Sequence, residues 1–168
     1  MKPSPKQSGV MIIEALIGIL IFMIGILALI AMQATAIRAT QDARYRTEAV
    51  NYANDLLNKI VVNVDRTTPA TLQTSLNTFR HQPTAGAHCS YSGATSANPL
   101  LTDWAALVTG TSGLDPLPRK PLPGTSGSMV QVLVDTNAGA YNTVSITLCW
   151  RAPDDPVARK HVLVSYIS

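Results

Sequence analysis

The chain has 168 residues, 46% hydrophobic and only 14% charged, with a formal net charge of +3. That length has room for one anchor segment and one head of about 100 residues, so a single head is expected. Lysines and arginines are scattered without a dense run or an interleaved aromatic series, so no nucleic acid partner is predicted.

Residues 1–9 form a short basic leader that holds Lys2 and Lys6 and ends at Gly9. From Val10 to Met32 the sequence is apolar throughout, with Glu14 as its sole charge. As a helix this run is roughly 34 Å long, enough to cross the hydrocarbon layer of a bilayer. A carboxylate at mid-membrane costs on the order of 3 kcal/mol, so Glu14 is a functional candidate whose usual explanation is a partner cation. Two plainer readings stand beside this one. The first is an ordinary secretory signal with a small-residue cleavage site at Ala34-Thr35-Ala36, although the apolar core of such a signal is only about 7 to 15 residues long. The second is a single-span anchor with Glu14 at the interface. Lys2 and Lys6 on one side face Arg38, Arg44 and Arg46 on the other, so charge bias alone does not fix the topology. Gly18 and Gly25 fit close helix packing in lipid and mere tolerance equally well.

Helical patterning continues past the anchor. Ala34, Ile37, Tyr45, Ala49, Tyr52, Ala53, Leu56, Ile60 and Val64 recur mostly at three- and four-residue steps, which marks one apolar face. Arg38, Asp42, Arg44, Glu48, Asn51 and Asp55 belong largely to the opposite face, and the pattern stops at Asp65–Pro69. The prediction is one helix of about 50 residues, apolar all round in its first half and striped in its second; the irregular heptad argues against a coiled-coil stalk. Thr68-Pro69 then reads as an N-cap with proline at the first helical position, opening a short helix through Leu72, Leu76 and Phe79.

Arg80 to Pro99 is rich in Gly, Ser, Ala and Thr and reads as loop. Thr102 or Asp103 would cap a second short helix, Trp104 to Thr109, ending at Gly110. Leu114 to Gly124 holds four prolines and is expected to be extended and exposed, as a rigid crossing or as a recognition strip. Met129–Asp135 and Asn142–Trp150 alternate apolar and polar residues around a turn at residues 137–141, which predicts a hairpin. After a loop from Arg151 to Arg159, His161–Ile167 supplies a third strand. Three antiparallel strands with one apolar face would cover the stripe of the long helix, giving an α+β fold with a small antiparallel sheet on a long N-terminal helix.

Catalytic and metal-binding patterns are scarce. His81, His88 and Cys89 lie close in sequence, but their spacing matches no zinc pattern. No GxSxG, P-loop, HExxH or glycine-rich dinucleotide turn occurs. Asp154-Asp155 reads as a solvated loop tip, and Trp104 and Trp150 as core or rim residues. Neither an enzymatic activity nor a cofactor is predicted.

Gly9, followed by an apolar stretch with an acid at its fifth position, resembles the signal of type IV prepilins and type II secretion pseudopilins. Val10 stands where that family usually has Phe or Met. The resemblance implies that a prepilin peptidase cuts between Gly9 and Val10 and methylates the new amine of Val10. The leader would lie in the cytoplasm, residues 10–32 in the inner membrane or filament core, residues 33–65 in a helix running into the head, and residues 66–168 in a periplasmic head of type IV pilin-like fold. Losing Lys2 and Lys6 lowers the formal charge from +3 to +1. In a filament, Glu14 of one subunit would meet the methylated amine of a neighbour, where opposite charges attract strongly and an unpaired one is penalised. In an extracytoplasmic head Cys89 and Cys149 are expected to form a disulfide, with two buried free thiols as the alternative should the head prove cytoplasmic.

Finer features are similar to the PilV family of type IV pilus modification proteins, which are minor pilins. These are the IGILALIAMQ stretch, the Tyr52-Ala53-x-x-Leu56 pattern, Cys89, Asn98-Pro99, Asp103-Trp104 and Leu148-Cys149-Trp150. This resemblance implies a minor pilin of the type IV pilus, with prepilin peptidase, the major pilin, other minor pilins and inner membrane lipid as partners, and with twitching motility, adhesion or DNA uptake downstream. A minor pseudopilin of type II secretion and a membrane-anchored periplasmic binding protein or enzyme are the alternatives.

Overall fold

The computed structural model describes residues 10–113, 119–137, 142–153 and 155–168. Helix α1 runs Val10–Asn63, helix α2 Pro69–Asn77 and helix α3 Pro99–Thr109. Strands β1 (Thr84–Ala85) and β2 (Tyr91–Ser92) form a small antiparallel ribbon. Strands β3 (Val130–Asp135), β4 (Thr143–Trp150) and β5 (Arg159–Tyr166) form an antiparallel sheet in the order β3-β4-β5. The chain divides into two compact units, one up to Asp42 and one from Ala43 to Ser168.

The core of the second unit is assembled on the α1 stripe. Ala49, Tyr52, Ala53, Leu56 and Ile60 are all buried, at the steps that place side chains on one helical face. Each fully buried residue of the size of Leu56 or Ile60 contributes about 2 kcal/mol of transfer free energy. Packed into the same cluster are Leu72 and Leu76 of α2, Leu101, Trp104 and Val108 of α3, and the inward row of the sheet: Val130, Val132 and Val134 from β3, and Val144, Ile146, Leu148 and Trp150 from β4. The register Val130↔Leu148, Val132↔Ile146 and Val134↔Val144 places these pairs opposite one another on one face.

Both short helices begin at an X-Pro step. The Thr71 N–H donates to Thr68 Oγ1 at 3.1 Å, and the Thr68 N–H donates to Thr71 Oγ1 at 2.9 Å, which closes a reciprocal cap on α2. In α3 the cap is Asn98, whose Oδ1 accepts the Leu100 N–H at 3.0 Å, and not Thr102 or Asp103 as expected. Pro99 explains the difference: its missing N–H and fixed φ suit the first helical position, so the helix opens there and gains a further turn. Gly110, at φ 77°, ends α3 with a left-handed residue.

Two further expectations are corrected. The segment Arg80–Pro99 is not all loop, because it contains the β1–β2 ribbon and His81 pairs with Val132 through His81 N–H to Val132 O at 2.9 Å and Val132 N–H to His81 O at 3.0 Å. A composition of small residues carries no alternation, yet its backbone donors still need acceptors. The proline-rich stretch is exposed only in part at its described end: Arg119, Lys120 and Gly124 are exposed, and the residues between them are held down. Leu122 is buried and its N–H donates to Val108 O at 3.0 Å, while Pro123 O accepts the Arg151 N–H at 2.9 Å. Residues 114–118 of that stretch, and 138–141 of the hairpin turn, lie outside the described residues.

The sheet also departs from a single apolar face. Strand β5 directs Arg159, His161, Leu163 and Ser165 inward, each half-buried, and leaves Val162, Val164 and Tyr166 exposed.

Candidate functional site

Two regions carry the residues singled out in the sequence. The first is the apolar part of α1. Every residue from Met11 to Thr40 is exposed in the isolated chain, including a dozen or more large aliphatic side chains. An uninterrupted apolar surface of this extent is incompatible with free solution and calls for lipid or neighbouring helices. The helix is long and apolar enough to cross a membrane.

Glu14 sits one turn into α1, near its positive N-terminal end. At about 100° per residue, Gly18, Gly25 and Ala28 project within roughly 40° of the Glu14 direction. A Cβ added at Gly18 or Gly25 would meet nothing within 4 Å, so neither glycine is required by packing within this chain. The acid and the small residues thus share one face, along which a second helix can approach closely. Gly9 lies outside the described residues, and Val10 is the first residue of α1.

The second region is the head. Cys89, half-buried before β2, and Cys149, buried in β4, are joined as a disulfide with Cα atoms 5.8 Å apart. The bond ties the β1–β2 ribbon to the outer face of the sheet, and the Tyr91 hydroxyl lies 3.7 Å from Cys149 Sγ. His88 and Cys89 hold positive φ values of 28° and 58°, a strained tip that persists where its surroundings fix it. With its sulfur in the disulfide, Cys89 is not a metal ligand. Among the described residues no group of three or more His, Cys, Asp or Glu could hold a metal ion.

The remaining candidates serve structure. Trp104 is buried and its indole N–H donates to the Tyr52 carbonyl at 2.9 Å, locking α3 onto α1. The Tyr52 hydroxyl donates to Lys120 O at 3.0 Å, and the Arg119 guanidinium lies 5.0 Å from the Tyr52 ring centre, a cation–π contact that pins the end of the proline-rich stretch. Arg119 and Lys120 are exposed, as expected of this stretch, but local sequence gives no sign of their partner, a tyrosine 68 positions from Lys120. Asp155 is not a bare loop tip, because its carboxylate accepts two bonds from Arg159 at 2.7 and 3.1 Å. Asp154 lies outside the described residues. A cavity of about 440 Å³ between the ribbon and the start of β5 is lined by His88, the disulfide at Cys89, Tyr91 and Lys160.

His81 gives the head a pH dependence of known sign. It is buried, Nδ1 accepts the Ser96 N–H at 3.2 Å, and burial holds the imidazole below its ordinary 6.5. As pH falls through 6.5 the unfolded chain takes up a proton that the native state resists, so stability declines progressively below that point. The Thr67 and Arg159 hydrogen bonds that hold Asp65 and Asp155 below 3.8 act in a separate, more acid window. Urea midpoints measured between pH 7.5 and 5 should therefore fall, and His81→Asn, which keeps an acceptor for Ser96, should flatten the slope. An unchanged slope in that variant would assign the effect to another group.

A long N-terminal helix, apolar in its first part and buried along one stripe of its second by short helices and a small antiparallel sheet, is the mixed α+β architecture of type IV pilins. Residues 31–101 match the model of the Tt1218-like family, described as type IV pilin Tt1218. The matched stretch runs from the end of the apolar segment to the first turn of α3, less than half of the chain, and is similar to type IV pilins. No curated protein and no solved structure matches the chain.

Proposed function

We propose that the protein is a minor pilin: a prepilin cut between Gly9 and Val10 by a prepilin peptidase, N-methylated at Val10, and held in the inner membrane by α1 with its head in the periplasm. From there it enters a type IV pilus at low copy beside the major pilin and other minor pilins, in the manner of PilV-type subunits. The observation that carries this reading is a fully exposed apolar helix with one acid, Glu14, a turn from its start. An acid there is unfavourable in lipid and favourable only where a cation meets it, and the methylated amine of a neighbouring subunit supplies one. The pilin description of the matched family favours a pilus over a secretion filament.

The direct test is Gly9→Ala. The variant should accumulate with its leader attached, seen as an intact N-terminal peptide by mass spectrometry, while the wild-type protein begins at N-methylated valine. Normal trimming of Gly9→Ala would remove the prepilin reading.

A further inference from the structure

Strand β5 is an edge strand whose apolar row faces away from the core. Val162, Val164 and Tyr166 are 44%, 52% and 70% exposed, whereas the inward side holds His161 and Ser165 around Leu163. A slip of one residue would exchange the two sets, yet the pairing with β4 runs unbroken from Trp150↔Arg159 to Thr143↔Tyr166. The apolar row of this edge strand therefore lies on the outward, exposed side.

The backbone carries the same message. Among the described residues, no backbone hydrogen bond outside the β4 ladder reaches Arg159–Tyr166. The Ile167 N–H donates to Asn142 O at 3.1 Å, which sets the phase of the antiparallel ladder. Hydrogen-bonded pairs alternate along such a ladder, so Lys160, Val162, Val164 and Tyr166 turn their N–H and C=O groups away from β4. The exposed side chains and the outward backbone groups thus belong to the same four residues. Between Val162 and Tyr166 there is no proline, bulge or charge, the devices that usually blunt an edge. At the strand's start, Lys160 lines the 440 Å³ cavity and puts an ammonium group at the end of the apolar stripe. Strand β5 contains no acid, so a second copy of this chain paired through β5 would bring no anion to that end.

We propose that the free edge of β5 receives an extended strand from the head of a different pilin-type subunit, with apolar side chains beside Val162, Val164 and Tyr166 and a carboxylate reaching Lys160. An outward row of N–H and C=O groups is matched by another strand and not by a helix. This rests on the filament-subunit reading above and adds the surface and the partner's chemistry.

The test uses the full-length protein in its own cell envelope. A photo-crosslinking residue at position 164 should join the protein to another pilin-type subunit identified by mass spectrometry. Val162→Pro should lower that yield at least tenfold, because it removes an N–H facing the free edge while leaving the β4 ladder in place. Lys160→Glu should lower it severalfold. Formation of the Cys89–Cys149 bond reports that each variant folds, and Val162→Lys replaces the proline variant if that one does not. Crosslinking to lipid, to a second copy or to nothing overturns the proposal, as does a folded Val162→Pro that crosslinks like wild type. If the protein still enters sheared filaments in those cases, only the edge assignment fails. If it is missing from them and Glu14→Ala behaves as wild type, the filament reading fails as well.

Discussion

Glu14→Ala subunits are expected to insert and be trimmed like wild type, yet to be nearly absent from filaments. The substitution acts on both sides of the assembly equilibrium. In the bilayer it removes an acid that costs on the order of 3 kcal/mol, so the membrane state becomes more favourable. In the filament it leaves the methylated amine of a neighbour without its counter-charge, and breaking one partner of a buried pair costs about 3 to 5 kcal/mol. The two shifts point the same way, so the lower figure alone implies a loss of more than about a hundredfold. The measurement is the amount of this chain in sheared filaments against the amount in membranes, by immunoblot, with Glu14→Gln as a variant that keeps hydrogen bonding but not charge. Filament entry of Glu14→Gln at the wild-type level would show that charge is not what Glu14 supplies.

Removing both cysteines should produce the largest loss of stability in the head. Cys89 and Cys149 are 60 positions apart, and closing a loop of that size restricts the unfolded chain by about 4 kcal/mol in the chain-entropy account. For a unit of this size that corresponds to a fall of roughly 10 to 20 °C in the unfolding midpoint. The check is the thermal unfolding of the full chain in detergent, followed through the tryptophans, with Cys89→Ala/Cys149→Ala beside wild type. Trp104 and Trp150 are both buried in the head, so their emission reports its packing and not that of the apolar segment. A shift below a few degrees would mean that the β3-β4-β5 sheet and the α1 stripe hold the head without help from the bond.

Periodicity made most of the fold legible. The three- and four-residue recurrence from Ala49 to Ile60 marks the buried stripe of α1, Thr68-Pro69 marks the start of α2, and alternation marks β3 and β4. Local signals failed where a distant partner decides the structure. Nothing in Arg80–Ser96 foretells that His81 pairs with Val132, because the partner strand lies some fifty positions on. At the start of α3, Thr102 and Asp103 both offer capping side chains, but Pro99 suits only a first turn and Asn98 caps it. For the candidate site, Glu14 could be picked out because a lone charge in an apolar run is anomalous by composition alone. The outward face of β5 could not, since alternation in HVLVSYI alone would turn Val162, Val164 and Tyr166 toward the core, and only the register with β4 places them outward.

The link between Cys89 and Cys149 also governs what happens after proteolysis. A single backbone cut between those two residues, for instance in the proline-rich stretch or in the β3–β4 turn, leaves both fragments covalently attached. Such a nicked subunit would migrate as one species without reductant and as two with it, and a damaged head displayed outside the cell would be retained and not shed.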